Sequence, residues 1–236
     1  MNDLNNYLAS LVKGSTEIIS NPKTIEEMQK KGVKFDSPTV KTINQIIDEL
    51  FDQRKNNALD KIKKFPEAPQ IAIPTINFLY NEIRECILFG LNGAAISLSA
   101  VLIEFALKHA IIKKLCGKTY SKQEWDRLEK IELGPTINEA SQLKLVDNKT
   151  KKALIRFKNK IRNPYLHYNI KRITEYVVAK RVKKIEINTK TVQELDIRAK
   201  DNPIIWNVAK RVVDRRRIIE VFLFADKIIK YLFEKV

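Results

Sequence analysis

Apolar residues recur at helical spacing along most of the chain, and turn-forming residues divide them into segments. Leu4, Leu8, Leu11, Val12, Ile18 and Ile19 predict one or two helical turns, broken near Gly14, followed by a polar stretch over 21–36 that contains Pro22 and Gly32. Ser37-Pro38 is an N-cap with proline at the first helical position, and it opens a helix carrying Ile43, Ile46, Ile47, Leu50 and Phe51 to about Lys64. Pro66 and Pro69 end that helix, so residues 65–74 form the expected linker. Pro74-Thr75 then opens a one-sided stripe of Ile76, Leu79, Tyr80, Ile83 and Ile87. The next helix, expected to be capped by Asn92 and to run to about Leu115, is apolar nearly all round, which makes it the core helix. Gly117 suits its C-terminal stop.

Beyond this point the segments shorten. Ser121-Lys122-Gln123-Glu124 is a capping-box sequence and predicts a short helix carrying Trp125, Leu128 and Ile131. Gly134-Pro135 is expected to break it, with another short helix over 135–145. Asn148 is expected to cap a helix carrying Leu154, Phe157 and Ile161. Residues 170–184 look helical with a basic face, whereas the alternation of Ile185 and Ile187 leaves 184–197 ambiguous between strand and helix. Pro203 opens the last helix, from Ile204 to about Phe233, and nothing repeats at a fixed period.

Composition agrees with an all-α protein: 236 residues, 44% apolar, 31% charged, with only six glycines and eight prolines. The expected organisation is an N-terminal helical extension over 1–70 and a helical domain over 71–236. The opening MNDLNNYLASLVKG has no basic region followed by an apolar core, so no secretory signal is expected. The longest apolar run, 93–112, is interrupted by Glu104, Lys108 and His109, which reads as a buried helix and not a membrane span. Cys86 and Cys116 are isolated and lack metal-ligand spacing. A cytoplasmic protein with no membrane partner, no metal and no cofactor is the expectation.

Charge changes the picture more than composition does. Residues 149–184 hold thirteen Lys or Arg against the single acid Glu175, which is +12 of the chain's +16. Such asymmetry is the footprint of a surface that meets a polyanion, the alternative being a solvated helix face. Within this stretch lies Ile161-Arg162-Asn163-Pro164-Tyr165-Leu166-His167, with one of only two histidines. On a straight helix Arg162 and His167 would stand about 140° apart. Pro164 has no N–H and biases Asn163 away from helical geometry, so a kink or restart is expected, with Asn163 as N-cap and Pro164 at the first position.

A break there would let Arg162 and His167 point at one spot. His167 is then the candidate to move a proton at a hydroxyl, and Arg162 the candidate to hold a phosphate in two-point contact. Together they suffice for metal-free RNA cleavage: the histidine assists attack by the 2′-OH or protonates the leaving oxygen, and the guanidinium stabilises charge on the five-coordinate phosphorus.

R-N-x-x-x-H late in a helix, preceded by GAAISLSAVLIEFALKHAI and LGPTINEASQLKLV, resembles the HEPN superfamily, over about 74–168 above all. The resemblance implies a helical bundle and a metal-independent endoribonuclease of toxin–antitoxin or antiphage defence. It implies Arg162 and His167 as the catalytic pair with Asn163 as the polar neighbour, a site formed across a homodimer, and an antitoxin or other regulatory partner. Asn169 stands where members paired with a nucleotidyltransferase antitoxin carry tyrosine, so AMP transfer to that position is not implied.

Other residues extend the candidate site. Lys158, Lys160, Lys171 and Arg172 are the expected phosphate contacts, and Tyr165 and Tyr168 are either stacking platforms for unpaired bases or packing residues. On the core helix Ser97, Glu104 and Lys108 share a narrow polar stripe. Glu104 is either an accessory that orients His167 or pairs with Arg162, or one half of an ordinary i,i+4 pair with Lys108. The alternative function is a non-catalytic module that binds RNA or a protein partner through the basic surface alone.

Overall fold

The computed structural model describes residue 30 and residues 43–117, 120–186 and 191–233; the readings for 4–20 and for the cap at 37–38 lie outside them, as does that for 21–36 apart from Lys30. The described chain is mostly helical with one two-stranded sheet. In order come α1 (Ile43–Ile62), α2 (Pro74–Leu88), α3 (Asn92–Cys116), α4 (Lys122–Glu129), α5 (Leu133–Gln142) and α6 (Asn148–Phe157). A π-helical turn (Lys158–Arg162), α7 (Asn163–Leu166) and α8 (Ile170–Ile173) follow. The antiparallel strands β1 (Val178–Glu186) and β2 (Thr191–Arg198) then lead through two 3-10 turns to α9 (Trp206–Phe233).

Helix α3 is the axis of the fold. It packs against α2, α5, the π turn and α9. Its buried residues run from Ala95 to Ile112 on every side of the helix, because neighbours surround it. By length and composition alone it is apolar enough to cross a membrane, and 67% of its apolar window is buried inside the fold. Ile96, Leu102, Ile103, Leu107 and Ile111 are fully buried, and each such side chain contributes about 1.5–3 kcal/mol relative to exposure. Gly117, at φ 63°, ends the helix in the left-handed conformation expected of it.

Two buried carboxylates tie α9 to the rest. The Tyr80 hydroxyl of α2 donates to Asp226 Oδ1 at 2.7 Å, and the Tyr165 hydroxyl of α7 donates to Asp214 Oδ1 at 2.6 Å. Each carboxylate also holds a lysine one turn away: Lys230 on Asp226 at 3.0 Å and Lys210 on Asp214 at 2.6 Å. Every lone pair that burial would strand therefore finds a donor. Residues 65–73, the expected linker, have no regular structure but are packed down: Phe65 lies edge-on to Phe222 with centroids 5.6 Å apart, and Ile73 is buried.

Several local expectations are corrected. Asn92 is not the cap of α3; Leu91 holds that position, and the Asn92 side chain accepts from Lys61 Nζ at 3.2 Å. Asp147, not Asn148, caps α6, accepting from the Thr150 N–H at 2.6 Å; a carboxylate is the stronger acceptor for the helix's positive end. Gly134-Pro135 does not separate α4 from α5 but lies in the first turn of α5, where proline's missing N–H costs nothing. The 170–184 segment is not one helix. It turns after Ile173 into β1, where the β-branched Val178 and Val182 pair with Arg198 and Leu195 of β2. Of the capping box at Ser121, the serine half is present, with the Glu124 N–H on Ser121 Oγ at 3.5 Å, while the Glu124 carboxylate accepts from Arg127 Nε at 2.8 Å.

Candidate functional site

The central segment begins on α6, whose Leu154 and Phe157 face the core. At Lys158 the backbone widens into the π turn, and the Asn163 N–H reaches back five residues to the Lys158 carbonyl. This is how the chain absorbs Pro164. The expected restart with Asn163 as an extended N-cap does not occur: Asn163 stays right-handed helical at φ −64°, ψ −46°. A single wide turn makes room for the proline ring without leaving the helical direction.

The widened turn aims Arg162 at α3. Its Nη2 donates to Glu104 Oε2 at 3.1 Å and its Nη1 to Asn163 Oδ1 at 3.1 Å. Glu104 Oε1 meets Lys108 Nζ at 3.2 Å. Both readings of Glu104 therefore hold at once: it pairs with Arg162 and with the lysine one turn on. The side chains of Arg162 and Glu104 are only 16% and 18% exposed. One carboxylate between two cations leaves a net single positive charge in a low-dielectric setting, where it acts more strongly than in water. Arg162 Nε is buried without a partner, so the guanidinium keeps an unused donor. Ser97 does not join this group; its hydroxyl donates to the Gly93 carbonyl at 3.2 Å.

His167 ends α7, its backbone N–H on the Asn163 carbonyl at 3.1 Å, and its side chain is exposed. No hydrogen bond or ion pair joins it to Arg162 or Glu104 among the described residues. The two tyrosines separate. Tyr165 is buried and bonded to Asp214, so it is packing and not a stacking platform. Burial first, and then its bond to that carboxylate, pushes its hydroxyl well above the ordinary value of 10. Tyr168 is 62% exposed, sits at φ 47°, and has Lys210 Nζ 5.6 Å from its ring centre. A left-handed tyrosine is uncommon and strained.

Among the phosphate candidates, Lys160, Lys171 and Arg172 are exposed and Lys158 is half-buried, its Nζ 3.0 Å from where a Cβ on Gly134 would stand. Arg156 and the 180–181 pair add to the same exposed charge. His109, the other histidine, is buried among Phe105 and Trp125, with ring centres 4.5 and 4.9 Å away. Of the three consecutive arginines on α9, Arg217 turns inward, as one of three helical neighbours must, and Arg215 and Arg216 are exposed. Among the described residues no three His, Cys, Asp or Glu side chains come together as a metal site.

Lys210 and Asp214 were missed in sequence. Asp214 lies in the arginine-rich stretch of α9, where an acid reads as charge dilution; the available signal was its place four residues after Lys210. No family model, no curated protein and no solved structure matches the chain.

Proposed function

We propose that the protein is an endoribonuclease of the HEPN type, a growth-arresting or antiphage effector that cleaves RNA without a metal. The carrying observation is the largely buried Arg162–Glu104–Lys108 group at the π turn, whose arginine lies five residues before an exposed histidine and inside a segment that supplies +12 of the chain's net charge of +16.

In this reading Arg162 binds a non-bridging phosphate oxygen through its remaining donors, while Glu104 and Asn163 hold the guanidinium in place. His167 takes the 2′-OH proton; the 2′-oxygen attacks phosphorus and the P–O5′ bond breaks. The products are a 2′,3′-cyclic phosphate and a 5′-hydroxyl once the leaving oxygen is protonated. One histidine per chain performs one of these two proton transfers, so a homodimer that faces two motifs supplies the second. Lys158, Lys160, Lys171 and Arg172 hold the flanking backbone, and Tyr168 stacks on a base. A cytoplasmic setting and a regulatory partner belong to the same reading.

A second reading has its own support: Arg162 is already engaged by Glu104 and Asn163, and His167 points to solvent with no partner in that group. In that case the protein binds RNA or another polyanion without cutting it. Incubation of the purified parent, Arg162→Ala and His167→Ala with cellular RNA in EDTA, followed by analysis of product ends, decides between them. Cyclic phosphate ends from the parent alone support the nuclease. A His167→Ala protein that cuts as well as the parent removes it, and binding by all three without cleavage leaves the binding module.

A further inference from the structure

A second concave site lies between α6 with its π turn and the middle of α9; it does not include Arg162 or Glu104, and it shares Lys160 with the phosphate candidates above. One wall is Ala153, Arg156, Phe157, Lys160 and Ile161; the other is Arg217, Glu220, Val221 and Phe224; Tyr176 stands at the mouth. The spacing on both helices is i, i+3, i+4, i+7, so each presents a single face to the groove. Its volume is about 630 Å³, within the roughly 300–1,000 Å³ of small-ligand sites.

The lining is uneven in a way that selects a ligand. Phe157 and Phe224 form the floor as a stacked pair, centroids 5.1 Å apart and planes 27° apart. Tyr176 is 71% exposed, although it borders an apolar floor it does not cover. Around this aromatic ground stand Arg156, Lys160 and Arg217, against the single carboxylate of Glu220. A purely anionic ligand would waste the rings, and an apolar one would strand three cations. A flat ring bearing a phosphate satisfies both, with the ring between Tyr176 and the floor, the phosphate on the cations, and Glu220 accepting from a ring amine or ribose hydroxyl.

We propose that this groove binds one nucleotide unit, either as a free nucleotide or as one residue of a single strand. The site does not use His167, and it stands whether or not the protein cleaves RNA.

The test is calorimetric titration of the full chain at low salt with two probes, AMP and a short oligoadenylate carrying 2′-O-methyl riboses, which cannot be cleaved by 2′-OH attack. The variants are Tyr176→Ala, Tyr176→Phe and the pair Arg156→Ala with Lys160→Ala. A control pair, Lys152→Ala with Lys180→Ala, removes exposed charge outside the groove. Tyr176→Ala and the groove pair should each weaken binding about tenfold, while Tyr176→Phe and the control pair stay within about twofold of the parent. Binding of AMP assigns a free nucleotide, and binding of the oligonucleotide alone assigns a residue of a strand. Absence of binding by either probe overturns the proposal, as do equal losses in the control and groove pairs, or inorganic phosphate competing as well as AMP. All the substituted side chains are exposed, and a thermal melt of each variant separates loss of contact from loss of fold.

Discussion

Glu104 serves two cations at once, and its replacement exposes how much each depends on it. Glu104→Gln removes the negative charge from a group whose side chains are mostly buried, leaving Arg162 and Lys108 to repel one another. The expected cost is about 2–3 kcal/mol in urea unfolding, and Lys108→Met in the same background should recover part of it. Tyr80 and Tyr165 make a different prediction. Burial, and then the bonds to Asp226 and Asp214, raise both hydroxyls above their ordinary value of 10. Above about pH 10 the unfolded chain releases these protons while the folded chain keeps them, so the native state holds more protons there and stability falls as pH rises. Tyr165→Phe should cost about 1–2 kcal/mol at neutral pH and flatten that alkaline fall, as read from urea midpoints across the range. Helical phase made Glu104 legible in the sequence, because Ser97, Glu104 and Lys108 share a stripe. It could not tell Tyr165 from Tyr168, since their burial depends on where α9 lies.

At the level of elements, end signals were read well where one residue type dominates and poorly where two compete. Gly117 is the clear case: its φ of 63° has open space around the missing Cβ, so Gly117→Ala should cost about 1 kcal/mol through backbone strain alone, with Gly117→Asn losing less in a melting comparison. At Asp147-Asn148 both side chains can cap, and the acid wins; Asp147→Ala should lower stability by about 1 kcal/mol, whereas Asn148→Ala, at the first helical position, should change it little. Pro164 was seen as a disruption but its form was not, because a wide turn and a restart both answer a missing N–H. The wide turn is the one that accompanies the Arg162–Glu104 contact, whose partner stands 58 residues away and is invisible to local pattern. The β1–β2 ribbon was half legible: alternation at Ile185 and Ile187 hinted at a strand, while the basic residues before them, Lys180, Arg181, Lys183 and Lys184, imitated a helix face.

Over the whole molecule, the central place of α3 followed from a pattern apolar nearly all round and interrupted by Glu104, Lys108 and His109, which suits a helix enclosed by others. What pattern alone did not yield is the architecture around the basic segment, which is set by contacts between α6, the π turn and α9. The charge of 149–184 makes one prediction for either functional reading. Binding of single-stranded RNA should weaken linearly in log–log salt titration, with a slope that falls by about 0.7 for each phosphate-contacting cation removed among Lys160, Lys171 and Arg172. The tie between Tyr80 and Asp226 spans 146 residues, and it has a meaning for synthesis as well as for stability. Chain growth delivers α2 and α3 long before the helix that covers their apolar faces and supplies the Asp226 partner. A nascent chain on the ribosome must therefore carry an open, hydrophobic α2–α3 pair until α9 emerges, so this part of the core closes only after that helix has been made.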